Sequence, residues 1–263
     1  MPPAKKRTRS YDSAKIRAAV LAQFEQVRQA AVALTPEQLA LPTRLGDWTV
    51  RELAGHMALA VGAVSRAIEL PEPASQEVAL LDWPFATAAR AEGISDDTKE
   101  LAASAEPAEL YARTAARLAE LLPTAVDDRL VATRVGAMRL GDYLVTRTVE
   151  LIVHTDDLNA AAGLAVPYDR QALAACTRLL ADALATKAPG GSVEVRVPPF
   201  AVVQCVEGPR HTRGTPPNVV ETDPLTWIRL ATGRKEWAGE LAAARVSASG
   251  ERADLSALLP LLG

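Results

Sequence analysis

Cysteine is scarce in this chain of 263 residues. The two cysteines, Cys176 and Cys205, lie in different predicted elements and form no CxxC motif. Nothing in their number or spacing indicates a disulfide framework. We therefore expect both to be reduced thiols, packed as small apolar groups in a cytoplasmic protein.

Long apolar runs are absent as well. No segment reaches the ~18 consecutive apolar residues of a transmembrane helix, so we predict a protein without membrane contact. The first ten residues, MPPAKKRTRS, are basic but have no apolar core of the signal-peptide type. They are typical of a solvated, disordered tail over residues 1–11, with a nucleic-acid-binding arm as the alternative.

An excess of positive charge is also missing. The formal net charge is −3, with 49% hydrophobic and 23% charged residues, close to the average of globular proteins. A nucleic-acid or polyanion partner would require a basic surface, so none is predicted. The length suits one large domain or two small ones. We take a monomer as the working expectation, since nothing in the sequence specifies an oligomer.

Helical periodicity dominates the first two thirds of the chain. Two segments carry N-terminal capping signals, TPEQ from Thr35 and TVRE from Thr49. A further helix should end at Gly163, a residue suited to a helix C-terminus. Long helices on this pattern predict a helix bundle over residues 12–165. The expected helices cover approximately residues 12–34, 49–69, 84–103, 107–122 and 142–162.

The pattern changes near residue 166. After one more helix, at about 169–187, the segment SVEVRV alternates apolar and polar residues as a half-buried strand does. Further strands are expected at about 200–208, 218–222 and 244–250, with a helix at about 223–233. We therefore predict an α+β protein, with a second, smaller α+β domain over residues 166–263.

One apolar helix contains two unexpected polar residues. In TVELIVHTDD (148–157), Glu150 and His154 are four residues apart, so both lie on one helical face. A buried carboxylate and imidazole are costly unless they are paired or coordinated. Asp157 follows on the same stripe, where it could orient His154 or belong to a polar helix end. Its neighbour Asp156 points elsewhere, and we expect it to be solvated.

A second histidine occupies a similar setting. The chain has three histidines, and His56 lies in the apolar helical segment TVRELAGHMALAV. If the bundle brings His56 opposite Glu150 and His154, two imidazoles and a carboxylate could hold a divalent metal with one position open. The alternative is a surface pair or a hydrogen-bonded core histidine, and spacing alone does not decide between them.

These motifs resemble a known family. GDWTVRELAGHMALAV and TVELIVHTDDL are similar to the two histidine signatures of DinB-like metal-binding four-helix bundles. VETDPLTWIRLATGR and VSASGERADLSALLPL resemble a sterol-carrier-like C-terminal domain. The combination is similar to the mycothiol-dependent maleylpyruvate isomerase family of actinobacteria, and the resemblance spans nearly the whole chain.

The resemblance implies His56, Glu150 and His154 as ligands of Zn²⁺ or another divalent metal. It also implies a low-molecular-weight thiol such as mycothiol as cosubstrate. A metal-activated thiolate could isomerise a conjugated dicarboxylate by adding to it and leaving again, or it could transfer its sulfur to another small electrophile. The sequence does not choose between these reactions.

Anionic substrates require cationic partners. Arg234, after the C-terminal helix, is one candidate, with a surface salt bridge or a helix-end charge as its alternative. Arg213, in the loop RHTRG, is another, although that loop could equally be a simple connection. With Asp157, these arginines form the predicted catalytic set. The tryptophans, Trp48 included, are expected to pack in the core or at the domain interface.

Two other classes of function remain open. The sterol-carrier resemblance suggests a carrier of lipids or small apolar ligands, although the short strands leave little room for an apolar tunnel. A metal-stabilised scaffold without catalytic activity is the second possibility.

Overall fold

A computed structural model describes residues 9–208 and 217–262, apart from the side chains of residues 90–92. Arg213 and the rest of the RHTRG loop lie outside the described residues, as do residues 1–8 of the predicted tail. Within the described ranges, every helix is either too short or too polar to cross a bilayer.

The N-terminal part is a helix bundle, as predicted. Its long helices bury one continuous apolar core, and a capping interaction begins the first of them, where the Asp12 carboxylate accepts a hydrogen bond from the Lys15 amide at 2.9 Å. The helices are α1 (Ser13–Val32), α2 (Pro36–Leu39), α3 (Val50–Glu69), α4 (Trp83–Ala86), α5 (Ala91–Ser104), α6 (Pro107–Leu121) and α7 (Leu140–Ala162). Helices α1, α3, α6 and α7 pack against one another.

The helix predicted at 84–103 is divided. Helix α4 ends after one turn, and the Thr87 hydroxyl bonds back to the Pro84 carbonyl oxygen at 3.2 Å before α5 begins. A hairpin that the periodicity did not predict precedes α7. Its strands, β1 (Leu130–Thr133) and β2 (Gly136–Arg139), are antiparallel. The turn of this hairpin places Arg134 and Val135 beside a pocket in the bundle, which is lined by residues of α3 and α7.

The C-terminal part has the predicted α+β architecture. The elements are α8 (Arg170–Lys187), β3 (Val193–Val197), β4 (Ala201–Cys205), β5 (Val219–Thr222), α9 (Pro224–Ala231), α10 (Trp237–Ala242) and β6 (Val246–Ser249). The sheet has the order β4-β3-β5-β6, with β3 and β5 parallel and the outer pairs antiparallel. Asp223 caps α9 by accepting from the Leu225 and Thr226 amides.

Helix α8 joins the two parts. It packs on α1 and α7 of the bundle and, on its other side, on β4 and α9. Arg9, near the C-terminal end of the predicted tail, forms an ion pair with Asp182 of α8 at 2.8 Å, so this part of the tail contacts the C-terminal domain. The two parts are therefore packed together without a linker of their own, and the boundary at 165/166 stays a prediction.

Candidate metal centre

Three side chains from two facing helices converge in the bundle. Glu150 and His154 lie one turn apart on α7, and His56 lies on α3. The Glu150 Oε2 atom is 3.2 Å from His56 Nε2 and 3.4 Å from His154 Nε2. The two imidazole rings meet edge to face, with centroids 4.7 Å apart. The tertiary structure thus brings together the three residues that the sequence nominated.

Local packing explains how His56 reaches this position. Helix α3 begins at a capping box, in which the Glu52 carboxylate accepts from the Thr49 amide at 2.8 Å. One residue before His56, Gly55 lets α5 approach closely, because a Cβ atom there would lie 3.1 Å from the Ala102 Cβ. This close approach places Thr98 of α5, one turn before Ala102, beside the His56 ring.

Each imidazole is held through its second ring nitrogen. His154 Nδ1 lies 2.9 Å from Asp157 Oδ2, and because an ionised carboxylate only accepts, Nδ1 is the donor. His56 Nδ1 lies 3.4 Å from the Thr98 hydroxyl oxygen, and the Trp48 ring packs against the imidazole at 5.1 Å between centroids. Both Nε2 atoms are thereby directed to Glu150.

This donor set fits a divalent cation. Ligand atoms ~2.1 Å from a tetrahedral metal lie about 3.4 Å from one another, close to the two distances at Glu150 Oε2. All three donor atoms lie within 4.8 Å of each other. A hydrogen-bond partner on the far nitrogen is the usual support for a metal-binding histidine, and here a carboxylate and a hydroxyl take that place. Two nitrogens and one oxygen leave a coordination position open for water or a substrate.

The three groups influence each other's protonation. Burial alone would raise the pKa of Glu150, but hydrogen bonds from His154 and His56, together with the charge of Arg147, hold it well below its usual range. Burial lowers the pKa of His56 despite the hydrogen bond to Glu150. Burial also disfavours a charged His154, but its hydrogen bonds to Asp157 and Glu150 raise its pKa overall. The ionised Glu150 and the neutral His56 suit metal coordination, whereas the proton that His154 Nε2 shares with Glu150 would have to leave when a metal binds there.

Asp157 connects this centre to the C-terminal domain. Its carboxylate accepts from Arg234 Nη2 at 2.9 Å and from Arg44 Nε at 2.6 Å, in addition to His154. Arg234 therefore forms an ion pair with Asp157. Its predicted catalytic role, like that of Asp157, stays a prediction.

Asp156 corrects an expectation. It was expected to be solvated, but it is only 5% exposed. Its carboxylate accepts from Arg229 Nη2 at 2.6 Å and Arg44 Nη2 at 2.8 Å, and the Tyr168 hydroxyl lies 3.1 Å away. Helical periodicity turned Asp156 away from His154, but the C-terminal domain covers that side of α7.

A pocket of about 60 Å³ opens beside Glu150 and His56. Arg147, one turn before Glu150 on α7, lines this pocket and is only 6% exposed. Arg147 was not predicted as a site residue from the sequence. Its position in an apolar helical stretch, three residues before Glu150, is the feature that could have indicated it. Thr98 was not predicted either, and the sequence carries no comparable signal for it.

A helix bundle that contains this cluster, joined to a four-stranded α+β domain, defines the class of protein: a bundle with a candidate metal centre and an appended α+β domain. The family model described as the mycothiol maleylpyruvate isomerase N-terminal domain matches residues 20–159, and a model described as the bacterial SCP ortholog matches residues 169–261. Since the first match covers more than half of the chain, the protein belongs to the mycothiol maleylpyruvate isomerase family.

Solved structures agree with this architecture. Two crystal structures of mycothiol-dependent maleylpyruvate isomerase, one of them a histidine-to-alanine mutant, are similar to this chain with TM-scores of 0.61 and 0.62. The alignments cover 96% of this chain and 97% of the others, at 14–15% sequence identity. At this identity the similarity shows the fold. No functionally curated protein matches the sequence significantly.

Proposed function

We propose that this protein is a metal-dependent enzyme that uses a low-molecular-weight thiol of the mycothiol type. The observation that carries the proposal is the convergence of His56, Glu150 and His154, with the outer nitrogen of each imidazole held by Asp157 or Thr98. Membership of the isomerase family supports the choice of thiol. Zn²⁺ is the expected metal, although these ligands suit other divalent ions.

The metal would supply one element of the chemistry, since a bound cation favours the thiolate, the nucleophilic form of the cosubstrate, at neutral pH. The protein's own side chains supply the rest. Asp157 keeps the proton of His154 on Nδ1, so that Nε2 faces the centre. The Trp48 ring packs against His56 and helps to fix its orientation, with the imidazole only 7% exposed.

Two reactions of a small electrophile fit this arrangement. In isomerisation, a carbon–sulfur bond forms at a conjugated alkene, the former double bond rotates, and loss of the thiol restores the alkene with trans geometry. In S-transfer, the carbon–sulfur bond persists in the product. Family membership favours isomerisation.

Titration of Co²⁺-substituted protein with a small thiol tests this proposal. A change in the visible Co²⁺ spectrum is expected, because a thiol that reaches the metal alters its ligand field. A spectrum unmoved by excess thiol would favour a metal-stabilised scaffold. His154→Ala should abolish stoichiometric metal binding; retention of a full equivalent of zinc would refute the ligand assignment.

The lipid carrier would need an apolar site in the C-terminal domain. Trp227 and Ile228 of α9, only 1% and 2% exposed, fill the described core of that domain, so an apolar ligand would have to bind in an open cleft such as the one lined by Leu80, Val202 and Val203. Binding of fatty acids by delipidated protein, independent of metal, would be the result that supports this alternative.

A further inference from the structure

The pocket beside the metal centre contains a buried arginine that neither domain's motifs account for. The side chain of Arg147 is 8% exposed, and its Nη2 atom is 3.8 Å from Glu150 Oε1. That distance is too long for a hydrogen bond. Arg147 therefore forms an ion pair with Glu150 without a hydrogen bond between them, and it brings a positive charge to the pocket wall.

The hydrogen bonds of Arg147 leave part of its guanidinium unused. Nε and Nη2 donate to the Thr146 hydroxyl oxygen at 3.2 and 3.0 Å, and Nη1 donates to the Ala60 carbonyl oxygen at 3.3 Å. A guanidinium has five N–H donors. Within the described part of the chain, these contacts account for one hydrogen on each nitrogen, so Nη1 and Nη2 each retain a second donor.

Aromatic rings hold the guanidinium in place. Its central carbon lies 4.5 Å from the Tyr143 ring centroid and 5.9 Å from that of Trp83, and both rings line the same pocket. Stacking of this kind orients a planar guanidinium while leaving its edge available. A fixed fork of donors matches the geometry of a carboxylate.

The other arginines near the centre are already neutralised. Arg44, Arg229 and Arg234 pair with Asp156 or Asp157. At the pocket edge, Arg134 forms an ion pair with Asp97. Among the described arginines that line the pocket, Arg147 is the one whose guanidinium has no hydrogen bond to a carboxylate. When Glu150 coordinates a metal, its own charge is compensated by that metal and is less available to Arg147.

We propose that Arg147 binds a carboxylate group of the electrophilic substrate and thereby selects small anionic substrates. This inference rests on the proposed function, since it places the electrophile next to the open coordination position. The pocket is about 60 Å³, far below the ~300–1,000 Å³ of sites for drug-sized ligands, and therefore suits a small organic acid. Leu59, Ala63 and Val135 in its walls provide apolar contact for a short carbon chain.

Isothermal titration calorimetry on zinc-loaded protein tests this assignment. The probes are maleate, a four-carbon dicarboxylate, and its uncharged dimethyl ester. The wild-type protein should bind maleate and not the ester. Arg147→Gln should weaken maleate binding about 10- to 100-fold, the effect of losing charge-assisted hydrogen bonds. Arg147→Lys keeps the charge but not the planar fork, so its affinity for maleate should lie between those of the wild type and Arg147→Gln.

Two other arginines serve as controls. Arg113→Gln makes the same charge change on the exposed face of α6, where the side chain is 60% exposed, and should leave maleate binding unchanged. Arg134→Gln removes a charge at the pocket edge and should have less than a threefold effect. A loss at Arg134 equal to that at Arg147 would mean that general charge, and not Arg147, attracts the anion, and would overturn the assignment.

Wild-type affinity in Arg147→Gln would overturn it as well, since maleate would then be held by the metal alone. If Arg147→Gln does not fold, as judged by circular dichroism, Arg147→Lys decides, and wild-type affinity in that variant would refute the proposal. The Co²⁺–thiol titration separates the two hypotheses. A preserved thiol response with Arg147-independent maleate binding refutes only this inference, whereas a missing thiol response refutes the proposed function.

Discussion

Arg234 and Asp157 are 77 residues apart in the chain, yet Arg234 Nη2 donates to Asp157 Oδ2 at 2.9 Å. The same carboxylate oxygen accepts from His154 Nδ1. One acidic side chain therefore connects a candidate metal ligand of the bundle to an arginine of the C-terminal domain. The carboxylate that orients His154 is thus shared with the C-terminal domain.

Asp157→Asn should weaken metal binding. The amide has at most a weaker acceptor for the His154 Nδ1 proton, and partners of this kind are worth about 10- to 100-fold in metal affinity. Competition with a chromophoric chelator measures the zinc affinity. Asp182→Asn, which removes the partner of Arg9, is a matched control and should retain wild-type affinity. Equal affinities in Asp157→Asn and wild type would show that Asp157 does not support the centre.

Arg234→Met distinguishes the two roles considered for Arg234. If Arg234 acts only as a partner of Asp157, the substitution should lower the free energy of unfolding by about 1–3 kcal/mol. It should also reduce zinc affinity less than Asp157→Asn does. At saturating metal, the response of the Co²⁺ spectrum to thiol should be unchanged. If Arg234 instead binds the thiol or substrate directly, the thiol concentration at half-maximal response would rise with little change in stability.

Thr98→Val should lower zinc affinity several-fold, because His56 Nδ1 would lose its hydroxyl neighbour. Valine is close to threonine in shape, and Thr98 is fully buried, so the apolar packing should be retained. Thr98→Ser keeps the hydroxyl and is the matched control, with affinity near that of the wild type. Similar losses in both variants would assign the effect to packing instead of the hydrogen bond.

Asp156→Asn should make the fold less sensitive to acid. Burial alone would raise the pKa of Asp156, but hydrogen bonds and charge attraction from Arg229, and then from Arg44, lower it below its usual range. A carboxylate with a depressed folded pKa stabilises the protein above its unfolded pKa of about 3.9, and this stabilisation is lost as pH falls through the folded value.

The difference in unfolding free energy between wild type and Asp156→Asn should therefore be largest near neutral pH, at about 1–2 kcal/mol, and should shrink below about pH 4. Urea unfolding at a series of pH values measures it. Asp128→Asn is the control, since that side chain is 87% exposed and should contribute little at any pH. A difference that stays constant down to pH 2 would contradict the prediction.

Much of the fold was predictable because its signals are local. Apolar residues at helical spacing, such as Ile16, Val20 and Phe24, are buried in α1 as expected. Gly163 ends α7 in a left-handed conformation, with φ of 65°. The alternation of SVEVRV produced a strand with Val193, Val195 and Val197 fully buried. The β1–β2 hairpin was missed because its strands are only four residues long.

The candidate site was predictable only in part. Spacing placed Glu150 and His154 on one face of α7, and the apolar setting of His56 nominated it as their partner. No local signal showed that Thr98 would reach His56 or that Arg147 would face the pocket. The expectation that Asp156 is solvated was wrong because its burial comes from a domain that follows in the chain.

The sequence by itself determined most of the helices, the strands of the C-terminal domain and the donor atoms that α3 and α7 carry, since these follow from residue periodicity and capping within a few residues. Only the tertiary structure decided that His56 meets Glu150, that Arg234 neutralises Asp157, and that Arg147 keeps donors available beside the pocket. These pairs are 94 and 77 residues apart in the first two cases. Their formation depends on how helices and domains pack, which local pattern does not encode.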